Sequence, residues 1–555
     1  MLILNMLLAA ATYLSPVRFE VLLAGNFGEP RPNHFHAGLD IKTDQVEGKP
    51  IHAIGDGYVS HVSVNKGGTG YCIHVRHPEG YTSVYGHLQK FSPIIEAVVK
   101  RKQYREHQCD VEVDLNATDC PVRKGQVIAL SGDTGASEGP HLHLEIHQTD
   151  NWKLIDPLEM IPDLLNDTIP PVAHAFMAYP VKGSGVFCGE AEKRRVDFVG
   201  DSITERLTAW GKVGFALNAA DFMQGSSNRC GVRFTSLLVD SVEVFSCDMN
   251  NVPPSMHKLV NLWGDYDYYD KNGEWFLKSF IHPSNRLPML KADKNKGIVN
   301  FDKKKDYHLT YVLSDFFGNK SEYHFIITGS PHHTDSLQQV PQKTEKDDSL
   351  VVSAHSENVI KMEGGVMTIP KEGLLSDDCK VKPLAKHARN GYSDAFRFSD
   401  KALPLDKEIE VRIKLNRLPD DPTKIFLASH HKNHDGFLPA QVDDGWLTAK
   451  VNSAHMFLQA AYDDKPPQVN VAFDSEKDSI PLVTITATDA LSGIDKIEGY
   501  VDNEFILFER VNKTNKMTCN LTKTPVRPKG EERQLTVVAT DFCGNESRQS
   551  MMIKY

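Results

Sequence analysis

Cysteine is scarce in this sequence, and no Cys-x-x-Cys motif occurs in it. The 555 residues include nine cysteines at scattered positions, so a cysteine zinc site is not expected. Cys109 and Cys120 lie eleven residues apart in a polar stretch. They could pair in an oxidising compartment or stay free thiols, and the sequence leaves both alternatives open. The odd count leaves at least one cysteine unpaired in a monomer.

An excess of basic residues and a long apolar run are also lacking. The formal net charge is −11, which argues against nucleic acid as a partner, because nucleic-acid binding depends on clustered Lys and Arg. No segment is apolar over the roughly 20 residues that a transmembrane helix needs. We therefore expect no transmembrane span.

The first residues form a short apolar segment. Residues 1–11 end in three alanines, which is typical of the small-residue cleavage site of a signal peptide. No Lys or Arg precedes the apolar run. We interpret the segment as a short signal that exports the protein to the periplasm or cell envelope. The alternative is a buried first strand.

The length of the chain predicts several domains, because a single hydrophobic core does not grow to this size. Short alternating runs and turn signals predict a mainly β fold. A turn at residues 78–80 predicts one β-hairpin, and residues 93–104 predict a short helix. After the signal segment, the predicted parts are a first domain at 12–168 with an insertion at 90–123, a β-domain at 169–329, a linker at 330–349, a β-rich domain at 350–462 and a β-domain at 463–555.

An internal repeat connects the second of these parts with the last. Each copy opens on a Pro-Pro pair and ends near an Asp-x-x-Gly-Asn-x-Ser turn, which begins at Asp315 and at Asp541. In each copy the turn lies between two alternating strands, as in a hairpin within a sandwich. We therefore predict two immunoglobulin-like β-sandwich domains with the same strand order.

A first candidate motif for chemistry lies at residues 33–40. His36 and Asp40 form a His-x-x-x-Asp pair, and imidazole nitrogen and carboxylate oxygen are both zinc ligands. Taken alone the pair is weak, because such spacing arises often by chance.

A second motif, at residues 139–147, is stronger. Apolar and polar residues alternate strictly from His141 to His147, which predicts a half-buried strand. The period of two places His141, His143, Glu145 and His147 on one face. Several histidines on one face are unfavourable unless a metal binds them, because they repel when protonated and need partners when buried. We expect His147, at the strand end, to face solvent.

Two further elements accompany these motifs. His87 follows Tyr85-Gly86 at the end of a hairpin strand. Residues 131–140 form a glycine-rich loop that leads into the histidine strand. The loop is not a phosphate-binding loop, because no Lys-Ser/Thr follows and no helix opens after it.

Together, these four elements resemble the lysostaphin-type, or LytM-like, family of zinc metallopeptidases, over most of residues 22–160. The resemblance implies a LytM-like antiparallel β-sheet and zinc bound by His36, Asp40 and His143. It also implies catalytic roles for His87 and His141. Leu144 departs from the family pattern, which often has an aromatic residue there, and the insertion is longer than usual.

The resemblance also implies a substrate and a mechanism. Three ligands leave one tetrahedral position open, which is typical of a catalytic zinc. The zinc would activate water for hydrolysis of peptide bonds in bacterial peptidoglycan, namely the stem-peptide cross-links. Glu145 could orient a ligand or be a solvated glutamate. The trailing β-domains are similar to those of Bacteroidetes cell-envelope peptidases and could contact an envelope partner.

The alternative is a non-catalytic envelope protein that binds peptidoglycan or activates another hydrolase. Some family members have lost zinc ligands and act in this way. All five implied site residues are present here, which favours the enzyme.

Overall fold

A computed structural model describes residues 13–331, 349–377, 379–431, 434–474, 480–527 and 530–554. The predicted signal segment and most of the predicted linker lie outside the described residues. The fold is mainly β, as predicted. Within the described ranges the α-helices are α1 (Pro93–Glu106), α2 (Pro157–Met160), α3 (Val260–Trp263) and α4 (Tyr266–Asn272). Short 3₁₀ helices lie at Pro254–Leu259, Pro422–Lys424 and Leu521–Lys523.

The first part of the chain, which we call the N-terminal unit, is built on an 11-stranded sheet with the central order β1-β4-β12-β8-β7-β6-β10. Its strands, including the separate pair β2–β3, are β1 (Leu23–Gly25), β2 (Pro30–Arg31), β3 (His34–Phe35), β4 (Gly38–Lys42), β5 (Pro50–His52), β6 (Gly57–Val64), β7 (Tyr71–Arg76), β8 (Tyr81–Phe91), β9 (Val111–Asp114), β10 (Pro121–Val122), β11 (Val127–Ser131), β12 (His141–Gln148) and β13 (Leu154–Ile155).

Strand β12 has the predicted alternation of its two faces. Leu142, Leu144 and Ile146 are fully buried in the core of the N-terminal unit, so the histidines point to the other face. The predicted hairpin around residues 78–80 is the antiparallel pair β7–β8. Helix α1 lies in the insertion, begins with a proline in its first turn and ends at a left-handed His107.

The next part, which we call the second unit, is another 11-stranded sheet. Its strands are β14 (Val172–Phe187), β15 (Arg194–Asp197), β16 (Leu207–Met223), β17 (Ser226–Cys230), β18 (Phe234–Val239), β19 (Val242–Asp248), β20 (Leu277–Lys278), β21 (Leu290–Ala292), β22 (Val299–Phe301), β23 (Asp306–Ser314) and β24 (Lys320–Gly329). Its main order is β15-β14-β16-β24-β23-β18-β19-β21.

The remaining strands form two further parts, the third unit and the C-terminal unit. The third unit has two five-stranded sheets and one strand pair, built from β25 (Leu350–Val352), β26 (Asn358–Met362), β27 (Gly365–Ile369), β28 (Cys379–Val381), β29 (Leu384–Lys386), β30 (Ala395–Arg397), β31 (Ile409–Lys414), β32 (Ile425–His431), β33 (His434–Leu438), β34 (Gln441–Asp443), β35 (Trp446–Val451) and β36 (Phe457–Tyr462). The C-terminal unit has two four-stranded sheets, built from β37 (Gln468–Asp474), β38 (Leu482–Thr488), β39 (Ile494–Val501), β40 (Glu504–Ile506), β41 (Glu509–Arg510), β42 (Lys516–Asn520), β43 (Glu532–Asp541) and β44 (Glu546–Lys554).

The repeated turn makes the same hydrogen bonds in both copies. Asp315 Oδ1 accepts from Asn319 N at 2.8 Å, and Asp541 Oδ1 accepts from Asn545 N at 2.8 Å. The strands around the turns pair in the same order, β19-β18-β23-β24 and β40-β39-β43-β44. The copies differ because β16 pairs in parallel with β24 in the second unit, which merges strands that form two sheets in the C-terminal unit.

All nine cysteines lie in the described ranges as free thiols, including Cys109 and Cys120. Among the described residues, no helix is both long and apolar enough to cross a membrane.

Candidate active site

Three buried side chains of the N-terminal unit converge at one point, two from the adjacent strands β4 and β12 and one from the residues just before β4. His36 Nε2 lies 3.0 Å from Asp40 Oδ1, and His143 Nδ1 lies 2.7 Å from the same oxygen. The two histidine nitrogens are 3.1 Å apart. Two imidazole nitrogens and one carboxylate oxygen are a typical donor set for catalytic zinc, and tetrahedral ligands about 2.1 Å from zinc would lie about 3.4 Å apart. The residues present therefore fit a zinc ion.

The register of the sheet produces this convergence. His143 on β12 lies directly opposite Asp40 on β4 and, on its other side, opposite Gly86 on β8. His36 precedes β4 by two residues and is held by a contact of 2.6 Å between its Nδ1 and the carbonyl oxygen of Asn26. Because that nitrogen is engaged with a carbonyl, Nε2 is left for the shared point.

Glu145 orients His143 from behind. The His143 Nε2 atom donates to Glu145 Oε1 at 2.7 Å, which leaves Nδ1 facing Asp40. The other carboxylate oxygen, Oε2, lies 2.5 Å from His147 Nε2. Of the two alternatives for Glu145, the structure has the one in which it supports a candidate ligand.

The expectation that His147 faces solvent is wrong. Its exposed fraction is 3%, because the turn after β12 folds back over it. The ring stacks on Trp152 with centroids 4.3 Å apart, and its Nδ1 contacts the carbonyl oxygen of Trp152.

Arg31 also belongs to the site, and sequence reasoning missed it. Its Nη2 donates to Asp40 Oδ2 at 2.6 Å, so each carboxylate oxygen of Asp40 has its own partners. Burial would raise the pKa of Asp40, but His36 and hydrogen bonds from the site histidines hold it well below its usual value. No spacing rule connects Arg31 to the motif, since it reaches Asp40 only because β2 and β3 form a separate hairpin.

His87 and His141 lie beside the three converging residues. Their ring centroids are 4.7 Å apart, and the ring of His87 lies 5.7 Å from that of His143. His141 Nε2 is 3.4 Å from Asp40 Oδ1. Burial, followed by the neighbouring rings of His143 and His141, lowers the pKa of His87 to about 4.

The glycine-rich loop fixes the orientation of both rings. His87 Nδ1 donates to the carbonyl oxygen of Thr134 at 2.8 Å, and His141 Nδ1 donates to that of Gly139 at 2.8 Å. His87 has a left-handed φ of 58° at an irregularity in the β7–β8 pairing. Such a bulge re-aims a side chain, here toward the loop.

A cleft of about 1130 Å³ contains all five of the sequence-predicted residues. The N-terminal unit supplies most of its wall, and the second unit contributes Gly225, Asn228 and Tyr269. Sequence reasoning missed these three, because nothing in residues 169–329 indicates proximity to a site in another part of the chain.

Comparison with known proteins places two family models on the chain. Residues 34–104 match the model of Peptidase family M23, and residues 349–458 match that of a Zu5-like domain. The chain therefore contains a domain of Peptidase family M23, and the predicted resemblance to lysostaphin- and LytM-type peptidases is confirmed.

Relatives match over the same region. The chain is 37% identical over 131 residues to an "Uncharacterized metalloprotease" of Haemophilus influenzae, a match that covers 24% of this chain and 21% of that protein. It is 35% identical over 137 residues to the "Peptidoglycan DD-endopeptidase ShyC" of Vibrio cholerae, covering 24% and 25%. The chain thus spans about a fifth to a quarter of the length of these relatives.

A solved structure of a zinc-containing peptidase from Vibrio cholerae is 27% identical, with 24% of this chain and 35% of that chain covered and a TM-score of 0.18.

Proposed function

We propose that this chain is a zinc-dependent endopeptidase that is exported to the periplasm or cell envelope and hydrolyses peptide bonds of peptidoglycan there. The observation that carries the proposal is the convergence of His36 Nε2, Asp40 Oδ1 and His143 Nδ1 within 3.1 Å of one another. These residues would hold the zinc. When bound, zinc supplies Lewis acidity, which lowers the pKa of water to about 7 and polarises a carbonyl.

The residues around the ligands have separate tasks. Glu145 and the carbonyl of Asn26 fix the tautomers of His143 and His36. Arg31 holds Asp40 Oδ2, which keeps Oδ1 directed at the two histidine nitrogens. These side chains and the Asn26 carbonyl thus preorganise the ligands before substrate arrives.

His87 and His141 are suited to proton transfer and oxyanion stabilisation. Each donates its Nδ1 proton to a loop carbonyl, so Nε2 is the atom that can hold or release a proton at the cleft. The buried position of His87 favours its neutral form, in which Nε2 accepts a proton.

Peptidoglycan as the substrate is supported by the names of the relatives. ShyC of Vibrio cholerae is named a peptidoglycan DD-endopeptidase, and a relative in Neisseria meningitidis is named a DD-carboxypeptidase/endopeptidase. We propose the stem-peptide cross-link as the bond that is cut. The cleft of about 1130 Å³ is large enough for several residues of an extended peptide.

The second candidate is a non-catalytic envelope protein that binds peptidoglycan or activates another hydrolase. The presence of His87 and His141 beside a complete donor set speaks against it. An activator needs neither residue, and a buried group of histidines is costly to keep without a partner.

Purified full-length protein tests the proposal. Metal analysis should give about one zinc per chain, and incubation with isolated cell-wall sacculi should release muropeptides whose masses identify the cleaved cross-link. The His141→Ala variant, handled identically, is the matched control for contaminating hydrolases. Zinc-loaded protein that leaves sacculi and soluble cross-linked peptides intact would contradict the proposal and favour the non-catalytic alternative.

A further inference from the structure

We infer that the C-terminal unit positions the glycine-rich loop of the active site through Asn512 and Lys513. The inference rests on the proposed peptidase function and gives a role to a part of the chain more than 370 residues away from the loop. Asn512 and Lys513 are positioning residues, because neither lines the cleft.

The turn between β41 and β42 reaches the loop directly. Asn512 Nδ2 donates to the carbonyl oxygen of Asp133 at 2.6 Å and to Glu47 Oε1 at 3.2 Å. Lys513 Nζ donates to the carbonyl oxygens of Gly135, at 3.3 Å, and Ser137. It also lies 3.6 Å from Asp133 Oδ1. Two adjacent side chains thus bind three carbonyls of one loop.

The same loop holds the two candidate catalytic rings through its other carbonyls. Those of Thr134 and Gly139 accept from His87 and His141, whereas those of residues 133, 135 and 137 accept from the C-terminal unit. Five carbonyls of one loop are therefore divided between the C-terminal unit and the two rings. A shift of the loop after loss of its contacts with the C-terminal unit would therefore displace both rings.

The loop needs such support because it forms little regular structure of its own. It contains three glycines, one of which, Gly135, has a left-handed φ of 75°. Glycine loses more conformational freedom than other residues when it is ordered, so the loop is costly to order. The N-terminal unit does supply some contacts, such as Ala136 N to Gly68 O at 2.8 Å. Removing the contacts with the C-terminal unit should therefore loosen the loop without unfolding the N-terminal unit.

The rest of the docking surface lies on the insertion. Arg510 forms an ion pair with Asp110, and Lys100 on α1 forms one with Glu509. The ring of Phe505 stacks on His107 with centroids 4.4 Å apart. The insertion thus serves as the platform on which the C-terminal unit sits, and its contacts are separate from those made with the loop.

This separation supplies a matched pair of variants in the zinc-loaded full chain. Asn512→Ala/Lys513→Ala removes the loop contacts, and Lys100→Ala removes a docking contact that does not touch the loop. Small displacements of positioned groups cost up to about 10²-fold in rate. We expect the double variant to lose about tenfold or more in kcat on a soluble cross-linked stem peptide. KM should change far less than kcat, because neither substituted side chain lines the cleft.

Hydrogen exchange gives a readout that does not depend on activity. Amides 132–139 should exchange faster in the double variant than in wild type. Their exchange should be unchanged in Lys100→Ala. Lys513→Arg, which keeps the positive charge, should retain more of both the protection and the kcat than the double variant does. The inference is overturned if exchange in the loop does not change, or if it rises while kcat stays normal. A wild-type chain that binds zinc but hydrolyses nothing would instead contradict the proposed function, and the exchange result would still decide whether the C-terminal unit orders the loop.

Discussion

Asp40 and His143 face each other directly across the β4–β12 pair, with Asp40 Oδ1 2.7 Å from His143 Nδ1. A register slip of one residue would turn every side chain of β12 to the opposite face. The apolar set at residues 142, 144 and 146 would then leave the core. Burial of these three side chains therefore fixes the register that joins the two candidate ligands.

The first prediction concerns which histidine holds the metal. His143→Ala should lose zinc because it removes one of three donors, whereas His141→Ala should keep it, since the three converging donors belong to His36, Asp40 and His143. Metal content per chain after dialysis, measured by mass spectrometry, distinguishes the two variants. Equal loss from both would mean that ligand and catalyst are wrongly assigned.

A second prediction concerns the support of His143 by Glu145. Glu145→Gln keeps the shape but removes the charge that accepts the His143 Nε2 proton. Partners of metal ligands are typically worth about 10–100-fold in metal affinity, so the zinc Kd should rise by about that factor. Competition titration with a chelator measures it. His147→Ala, which removes the other partner of Glu145, should change the Kd less. A Kd unchanged in Glu145→Gln would show that the contact does not support the site.

Local patterns account for what the sequence could predict. The alternation of residues 141–147 predicts one strand with its histidines on one face, and the repeated Asp-x-x-Gly-Asn-x-Ser turn predicts two hairpins, because both depend on neighbours along the chain. Arg31, Tyr269 and Lys513 could not be found in this way. Arg31 reaches Asp40 through the separate β2–β3 hairpin. Tyr269 reaches the cleft, and Lys513 reaches the glycine-rich loop, through packing between distant segments, which no periodicity encodes. His147 was misassigned because a strand end looks exposed until the following turn is seen to cover it.

A third prediction uses a buried acid outside the site. Burial, with the carboxylates of Asp315 and Asp167 nearby, raises the pKa of Asp221 to about 8. A carboxyl whose pKa is higher in the folded state stabilises it fully below its unfolded pKa of about 4, and that contribution is lost as pH rises through 8. Asp221→Asn removes this dependence. The melting temperature of Asp221→Asn, relative to that of the wild type, should therefore increase as pH rises from 5 to 8.5.

Thermal unfolding at several pH values tests this, with the exposed Asp201→Asn as the control. The control should follow the wild type across the range. Parallel curves for Asp221→Asn and wild type would mean that Asp221 titrates similarly in the folded and unfolded chains.

The last prediction concerns catalysis and the separation of tasks among five residues. Loop carbonyls hold the Nδ1 atoms of His87 and His141, and neither ring is among the three converging donors, so removing either ring should leave the zinc donors in place. General acid–base help is typically worth about 10²–10⁴-fold, and one oxyanion donor about 10²–10³-fold. His87→Ala and His141→Ala should therefore each lose at least about 10²-fold in kcat on a cross-linked stem peptide. KM should change far less, because these groups act mainly in the transition state.

The control is His61→Ala, which removes a histidine on β6 that is paired with Asp114, and it should keep the normal rate. Steady-state hydrolysis and metal analysis of each variant are the measurements. If both variants keep zinc and hydrolyse at near-normal rates, the two rings are structural and the proposed mechanism is wrong.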